Sequence, residues 1–179
     1  MISLVVINIF GSPCSGKSTT AAGVFYLLKQ MGKNAEMSLE YVKDCVYDGN
    51  KYPFTDQIFV FAQMLKRLRQ YDGKVDFVVT DAPLLMSHIY GKDEACEFHR
   101  LVDEEFYKYQ NINFVLRRGD IPYAKDGRIH SAKEANDLQD AIEYMLNDRG
   151  IDAPIYCIDE DTADNIVKDT FSFLKGLEV

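Results

Sequence analysis

Residues Gly11-Ser12-Pro13-Cys14-Ser15-Gly16-Lys17-Ser18 have the types and spacing of an anion cradle. They fit a glycine, four variable positions, then glycine, lysine and a hydroxyl residue. The glycines let the backbone curl so that its N–H groups converge on one phosphate. Lys17 supplies a cation for β- and γ-phosphates, the Ser18 hydroxyl can ligate Mg²⁺, and Thr19 can reach a further phosphate oxygen. The expected ligand is ATP with Mg²⁺, bound by Gly11, Ser12, Cys14, Ser15, Gly16, Lys17, Ser18 and Thr19.

Two carboxylates fall where strands should end. Asp81 closes the apolar run 75–80. Ligands of open α/β sheets sit at the carboxyl ends of strands, so Asp81 should lie near the phosphate loop. It suits Mg²⁺, directly or through water, and it also suits acceptance of a proton from an attacking hydroxyl. A plain turn cap before Pro83 is a third role for it. Glu40 follows the second apolar segment and precedes Tyr41. Glu40 could bind an acceptor hydroxyl or act as the general base, and Tyr41 could stack on a ring. Phe59, Gln63 and Arg67 share one helical face that could border the same acceptor pocket.

Cations gather later. Arg117, Arg118, Lys125, Arg128, His130 and Lys133 crowd one turn-rich stretch of an otherwise acidic chain. Phosphoryl transfer needs positive groups over the migrating phosphate and a segment that excludes water. Arg128, presented by Asp126-Gly127, and Arg118 are the first choices for a catalytic arginine. The segment 117–133 reads as a lid.

These residues need a scaffold that brings strand ends together. Residues 2–10 form a continuous apolar run, as a central strand requires. Helical periodicity follows from about Lys17 to Met31, closed by Gly32. Further strands are expected at about 34–39, 75–80, 112–116 and 155–158. Helices are expected from about Thr55, as N-cap, with Ile58, Phe61, Ala62, Leu65 and Leu68 as the buried stripe, and over about 93–109, 131–148 and 161–175. Ser131 and Glu134 form a capping box for the third of these. Residues 41–54 read as irregular, with Asp48-Gly49-Asn50 and Pro53 as turn signals. Strands alternating with helices predict a single α/β domain over 1–179, three layers thick, with a mostly parallel five-stranded sheet.

Composition narrows the function. The chain is 47% hydrophobic, enough to fill a core, yet no run approaches the roughly 18 apolar residues of a membrane span. The first residues read as a strand and not as a leader peptide. Cys14, Cys45, Cys96 and Cys157 are scattered, with no zinc-ligand spacing, which fits free thiols in a reducing cytoplasm. Cys14 reads as a tolerated loop residue. A net charge of −8 opposes broad binding to nucleic acid but leaves room for a local basic mouth.

The order of GSPCSGKST, Glu40-Tyr41, Asp56-Gln57, VVTDAPL and a basic Asp-Gly-Arg segment resembles the small P-loop kinases of tailed phages. Those are similar to the ribosylnicotinamide-kinase domain of bacterial NAD regulator proteins. The resemblance spans nearly the whole chain. It implies a P-loop kinase core with a lid, ATP on Gly11–Thr19, metal or base chemistry at Asp81, acceptor contacts at Glu40 and Tyr41, and lid charge from Arg128. The bacterial domain has an Asp-x-Asp strand end where this chain has Asp81-Ala82-Pro83, so the division between base and metal ligand stays open. Some phage kinases of this kind phosphorylate 5-hydroxymethyluracil within DNA, which makes DNA modification in a host cytoplasm one expectation. The acceptor is thus a hydroxyl of a nucleoside, a nucleotide or a modified base.

Two other classes compete. A GTPase switch would want an Asn-Lys-x-Asp motif and a glycine three residues after Asp81, and neither is present. An ATPase subunit without a small acceptor would want a further helical domain, for which the chain is short. Oligomeric state is not legible.

Overall fold

The computed structural model describes residues 4–49, 55–119 and 132–176. Strand β1 is Val5–Phe10 and helix α1 is Lys17–Gln30. Then come β2 Ala35–Ser38, α2 Tyr41–Tyr47 and α3 Gln57–Arg69. Strand β3, Phe77–Thr80, leads through a 3-10 turn at Leu84–Met86 into the short α4, Ser87–Tyr90. The chain continues with α5 Cys96–Phe106, β4 Gln110–Arg117, α6 Ala132–Asp148, β5 Ile155–Cys157 and α7 Thr162–Gly176.

The five strands lie in the order β2-β3-β1-β4-β5, and every pairing is parallel. Parallel neighbours need helical crossovers, which the alternating pattern supplies. Along β1 the side chains alternate between faces, as a period of two demands. Val5, Ile7 and Ile9 pack with Ala21, Val24 and Leu28 of α1 and Ile166 and Val167 of α7. Leu4, Val6 and Phe10 pack with α3, α5 and α6 through Phe61, Leu65, Phe98, Val102, Ile142 and Leu146. Helices therefore cover both faces, and β1 reads as unbroken apolar sequence because both its sides are buried.

One row on the α3 side is polar. Ser38, Thr80, Asn8 and Asn113 stand in register across four adjacent strands. Asn8 Nδ2 donates to Asn111 Oδ1 at 2.9 Å and Asn113 Oδ1 at 3.0 Å. Beside them a cavity of about 10 Å³, large enough for one water, is lined by Asn8, Ser38, Thr80 and Asn111.

From β1 the chain turns out to β2 on one side of the sheet, whereas β3 leads to β4 on the other. The crevice between the carboxyl ends of β1 and β3 is the topological switch point, where such sheets bind ligands.

Four expectations need correction. Residues 41–47, read as irregular, form α2; the helix is only seven residues long, too short for periodicity to show. The cap of α3 is Asp56, whose carboxylate accepts Phe59 N–H at 2.8 Å, and not Thr55. Ile58 is 51% exposed and Ala62 is exposed, so the buried stripe of α3 is Phe61, Met64, Leu65 and Leu68. The helix expected over 93–109 is shorter, because Gly91 and the turn after it delay its start to Cys96. Ser131, the expected first residue of α6, lies outside the described residues.

Candidate active site

The phosphate loop follows β1 and runs into α1. Gly16, at φ +82°, is the N-cap of α1, and no side chain caps the helix among the described residues. The first-turn amides and the positive end of the dipole are thus left for an anion. Two glycines are required here. A Cβ on Gly16 would lie 2.0 Å from Ile158 Cδ1, and one on Gly11, at φ +150°, would lie 2.6 Å from the Leu116 carbonyl oxygen. Cys14 takes φ +69° without being glycine, a conformation that a side chain adopts at a cost. Ser15 is fully buried and its N–H donates to the Ser12 carbonyl at 3.2 Å. Thr19 is exposed on the first turn of α1.

Lys17 Nζ donates to the Ser12 carbonyl at 2.9 Å. Burial lowers its affinity for a proton, while the nearby charges of Glu40 and Asp81 act the other way. An anion bound beside it would strengthen the charged form further.

Asp81 is the junction of three strand ends. It is 2% exposed. Its Oδ2 accepts the Ser18 hydroxyl at 2.6 Å, and its Oδ1 accepts the N–H of Glu40 at 3.0 Å. The bend that aims it is fixed by Thr80, whose hydroxyl donates to the Ser38 carbonyl at 2.8 Å and accepts Ala82 N–H at 3.1 Å. Ser18 and Asp81 together offer hard oxygen donors, which suit Mg²⁺. Among the described residues no three His, Cys, Asp or Glu side chains gather around a point. Such a pair fits an ion that takes most of its ligands from phosphate and water.

Glu40 caps α2. Burial raises its pKa, the Lys17 charge opposes this and the Asp81 charge adds to it. Tyr41, the next residue, is held firmly. The Arg67 guanidinium lies 5.4 Å from its ring centroid, and Phe59 meets it edge-on at 5.8 Å. Arg67 also donates to the Leu39 carbonyl at 2.8 Å and to Asp44 at 2.6 Å. Arg67 thus occupies a position over the ring where a stacked acceptor was one expectation. Gln63 lies one turn from both Phe59 and Arg67 on α3 and is half-buried.

Sequence reasoning missed Tyr90. It ends α4 with 40% of its surface exposed, and loss of hydration around its hydroxyl, with the Glu40 charge added, raises its pKa. Only its distance of nine residues beyond Asp81 pointed to it, and nothing in that spacing is diagnostic.

The basic segment is only partly described. Arg128 lies outside the described residues, as do Lys125 and His130 and most of the stretch 117–133. Arg117, which ends β4, makes a two-pronged pair with Glu143 of α6, at 2.8 and 2.5 Å. That pairing, first among its causes, holds the Glu143 carboxyl below the usual range. Arg118 Nη2 donates to Asn136 Oδ1 at 3.4 Å. Gln139, also missed from sequence, accepts Ser12 N–H at 2.9 Å. The available signal was Asn136, Gln139 and Glu143 at helical spacing on one face.

The chain resembles solved structures over nearly its full length. One is deoxyadenosine kinase from M. mycoides, with 21% identity, a TM-score of 0.51 and coverage of 96% of this chain and 99% of that one. Another is the Mycobacterium tuberculosis APS kinase in complex with AMPPNP and APS, with 10% identity, a TM-score of 0.56 and coverage of 98% and 99%. A third is shikimate kinase from Acinetobacter baumannii in complex with shikimate, with 14% identity, a TM-score of 0.56 and coverage of 98% and 96%. At such identities the likeness is one of fold. None of the curated proteins matches the sequence. A family model described as AAA domain matches residues 6–159, from β1 past the end of β5, and the chain belongs to that family.

Proposed function

We propose that the protein is an ATP-dependent kinase that transfers the γ-phosphate to a hydroxyl of a nucleoside, a nucleotide or a modified base. The observation that carries this reading is the meeting of the Ser18 hydroxyl and the Glu40 N–H on Asp81 at the switch point, with Lys17 beside Ser18 on the phosphate loop. A phosphate loop alone would serve any nucleotide-binding protein. A raised-pKa carboxylate beside it adds a proton acceptor for an attacking hydroxyl.

In this reading the amides of residues 11–19 and Lys17 hold the triphosphate. Mg²⁺, held by Ser18 and Asp81, would neutralise charge on the β- and γ-oxygens. Glu40 or Asp81 takes the proton of the acceptor hydroxyl. The oxygen attacks the γ-phosphorus, the bond to the β,γ-bridging oxygen breaks, and ADP leaves. Little covalent work falls to the protein, so positioning and charge do most of it. Arg118 and Arg128 are the proposed cations over the migrating group, with 117–133 as lid. Tyr41, Gln63 and Phe59 border the acceptor.

The whole chain acts as one kinase domain in this account, in a cytoplasm. Among the described residues no helix is long and apolar enough to cross a membrane. A transfer screen with labelled ATP tests the proposal. It should span nucleosides, mononucleotides, nicotinamide riboside and DNA carrying 5-hydroxymethyluracil. Label in one acceptor class is the expected result. ATP turnover with no labelled acceptor across the panel would replace the kinase by an ATPase, and a strong preference for GTP would point to a switch.

A further inference from the structure

Gln139 of helix α6 reaches the phosphate loop, and its side chain has a fixed orientation. Gln139 Oε1 accepts Ser12 N–H at 2.9 Å, and Gln139 Nε2 donates to Glu143 Oε1 at 2.9 Å. Flipping the amide would set its NH₂ against the Ser12 N–H and its oxygen against a carboxylate, so the two partners fix which way it points. Glu143 is clamped in turn by both prongs of Arg117.

The other side of Ser12 is gripped as well. Its carbonyl accepts Lys17 Nζ at 2.9 Å and Ser15 N–H at 3.2 Å. Ser12 is 5% exposed, so its N–H has no easy recourse to water. Where Ser12 sits therefore decides where the Lys17 ammonium rests and how tightly the loop curls. Arg117 and Arg118 lie where β4 runs out toward the segment 120–131, and both bond to α6 on the face that carries Gln139.

Resting on the reading that this loop holds ATP, we propose that Gln139 is a positioning residue for the triphosphate. It acts through Ser12 on Lys17, and Glu143 with Arg117 lock its orientation. The row Arg117–Glu143–Gln139–Ser12 links the root of the basic segment to the phosphate loop. A structural filler on α6 would steady the helix without favouring nucleotide. A positioning residue changes nucleotide affinity more than it changes the fold.

Calorimetry with MgATP, paired with thermal melting without nucleotide, separates the two. The variants are Gln139→Leu, the swap Gln139→Glu with Glu143→Gln, and Tyr144→Ala as an exposed control on the same helix. Gln139→Leu orphans the Ser12 N–H and should raise the MgATP Kd roughly 3- to 10-fold, the loss of one buried hydrogen bond. Its melting point without nucleotide should fall only modestly below that of Tyr144→Ala, by the cost of one orphaned N–H. The swap keeps an acceptor for Ser12 and a donor between the two positions, and should return the Kd to within about 3-fold of the parent. An unchanged Kd in Gln139→Leu overturns the inference. So does a Kd rise matched by a large fall in melting point that the swap does not repair. A parent protein that takes up no MgATP sinks the kinase reading instead.

Discussion

The Ser18 hydroxyl donates to Asp81 Oδ2 across 2.6 Å, joining the head of α1 to the end of β3. The second oxygen of the same carboxylate holds the N–H of Glu40, beyond the end of β2. Asp81→Asn keeps the size of the side chain but loses charge and one acceptor. It should lower phosphate transfer by about 10²-fold or more while MgATP binding weakens less. Parallel titrations of Mg²⁺ against the parent and Asp81→Asn would check this, because a metal role requires the variant to need more of the ion.

Lys17→Ala removes the one ammonium group on the loop itself. Transfer from labelled ATP should fall by at least ~10²-fold, with the far-ultraviolet dichroism of the parent retained. The fold should survive because the core beneath the loop is built by Val5, Ile7 and Ile9 against Ala21, Val24 and Ile166, without Lys17. Retained transfer in this variant would remove Lys17 from the mechanism.

Glu40 offers a pH test with a definite sign. Burial, against the Lys17 charge, raises its pKa above the usual carboxylate value. As general base it works deprotonated, so the rate should climb as pH rises through that raised value. Its contribution to stability runs the other way: it is present below the ordinary glutamate pKa and lost as pH rises through the folded one. Glu40→Gln is neutral at every pH. The variant should lose the acid limb and most of the rate, yet melt at or above the parent temperature near pH 8. A pH–rate profile and a melt on the same preparation decide it.

His88 should govern acid sensitivity away from the site. Its Nε2 meets Asp103 at 2.7 Å and its Nδ1 meets His99 Nδ1 at 3.0 Å, so the neutral ring gives its N–H to Asp103 and accepts from His99. Burial lowers its pKa, with Asp103 opposing. A lowered folded pKa means stability that is present above about pH 6.5 and lost as pH falls through the folded value. Melting points at pH 7, 6 and 5 should fall more steeply for the parent than for His88→Gln.

The two loop glycines should respond differently to a methyl group. On Gly11 it meets the Leu116 carbonyl, which is backbone and cannot step aside. Gly11→Ala should cost roughly 2–4 kcal/mol in denaturant unfolding. On Gly16 it meets Ile158 Cδ1, the far end of a flexible side chain. The clash in Gly16→Ala should shrink when Ile158→Ala is added, leaving about 1–2 kcal/mol from the left-handed backbone.

Much of this fold was legible because its signals are local. The run Val5–Phe10, the phosphate loop and the cap at Gly16 follow one another without a break, and each constrains the next. The place of Asp81 beside the phosphate loop was legible because open parallel sheets gather their ligands at the carboxyl ends of strands. Helix α2 was not, since seven residues carry less than two full turns of pattern. Ile58 and Ala62 kept helical spacing yet face outward, because Met64 fills the stripe that they were assigned. Gln139 left only its helical spacing with Asn136 and Glu143 as a signal, and Tyr90 left none that is diagnostic. Gln139 matters because it meets Ser12 across 127 sequence positions, which only the sheet order brings together.

Strand β1 precedes the other four strands of the sheet in sequence and is the most central, with β3 on one side and β4 on the other. On the ribosome its sequence VVINIF leaves the exit tunnel with no strand partner until Phe77 and its successors have been synthesised. For that interval an apolar, uncharged ribbon is open to any passing edge, the circumstance in which chains tangle with one another. Yield in recombinant expression should therefore depend on holdase chaperones and on slow synthesis, even though the finished molecule hides the ribbon completely.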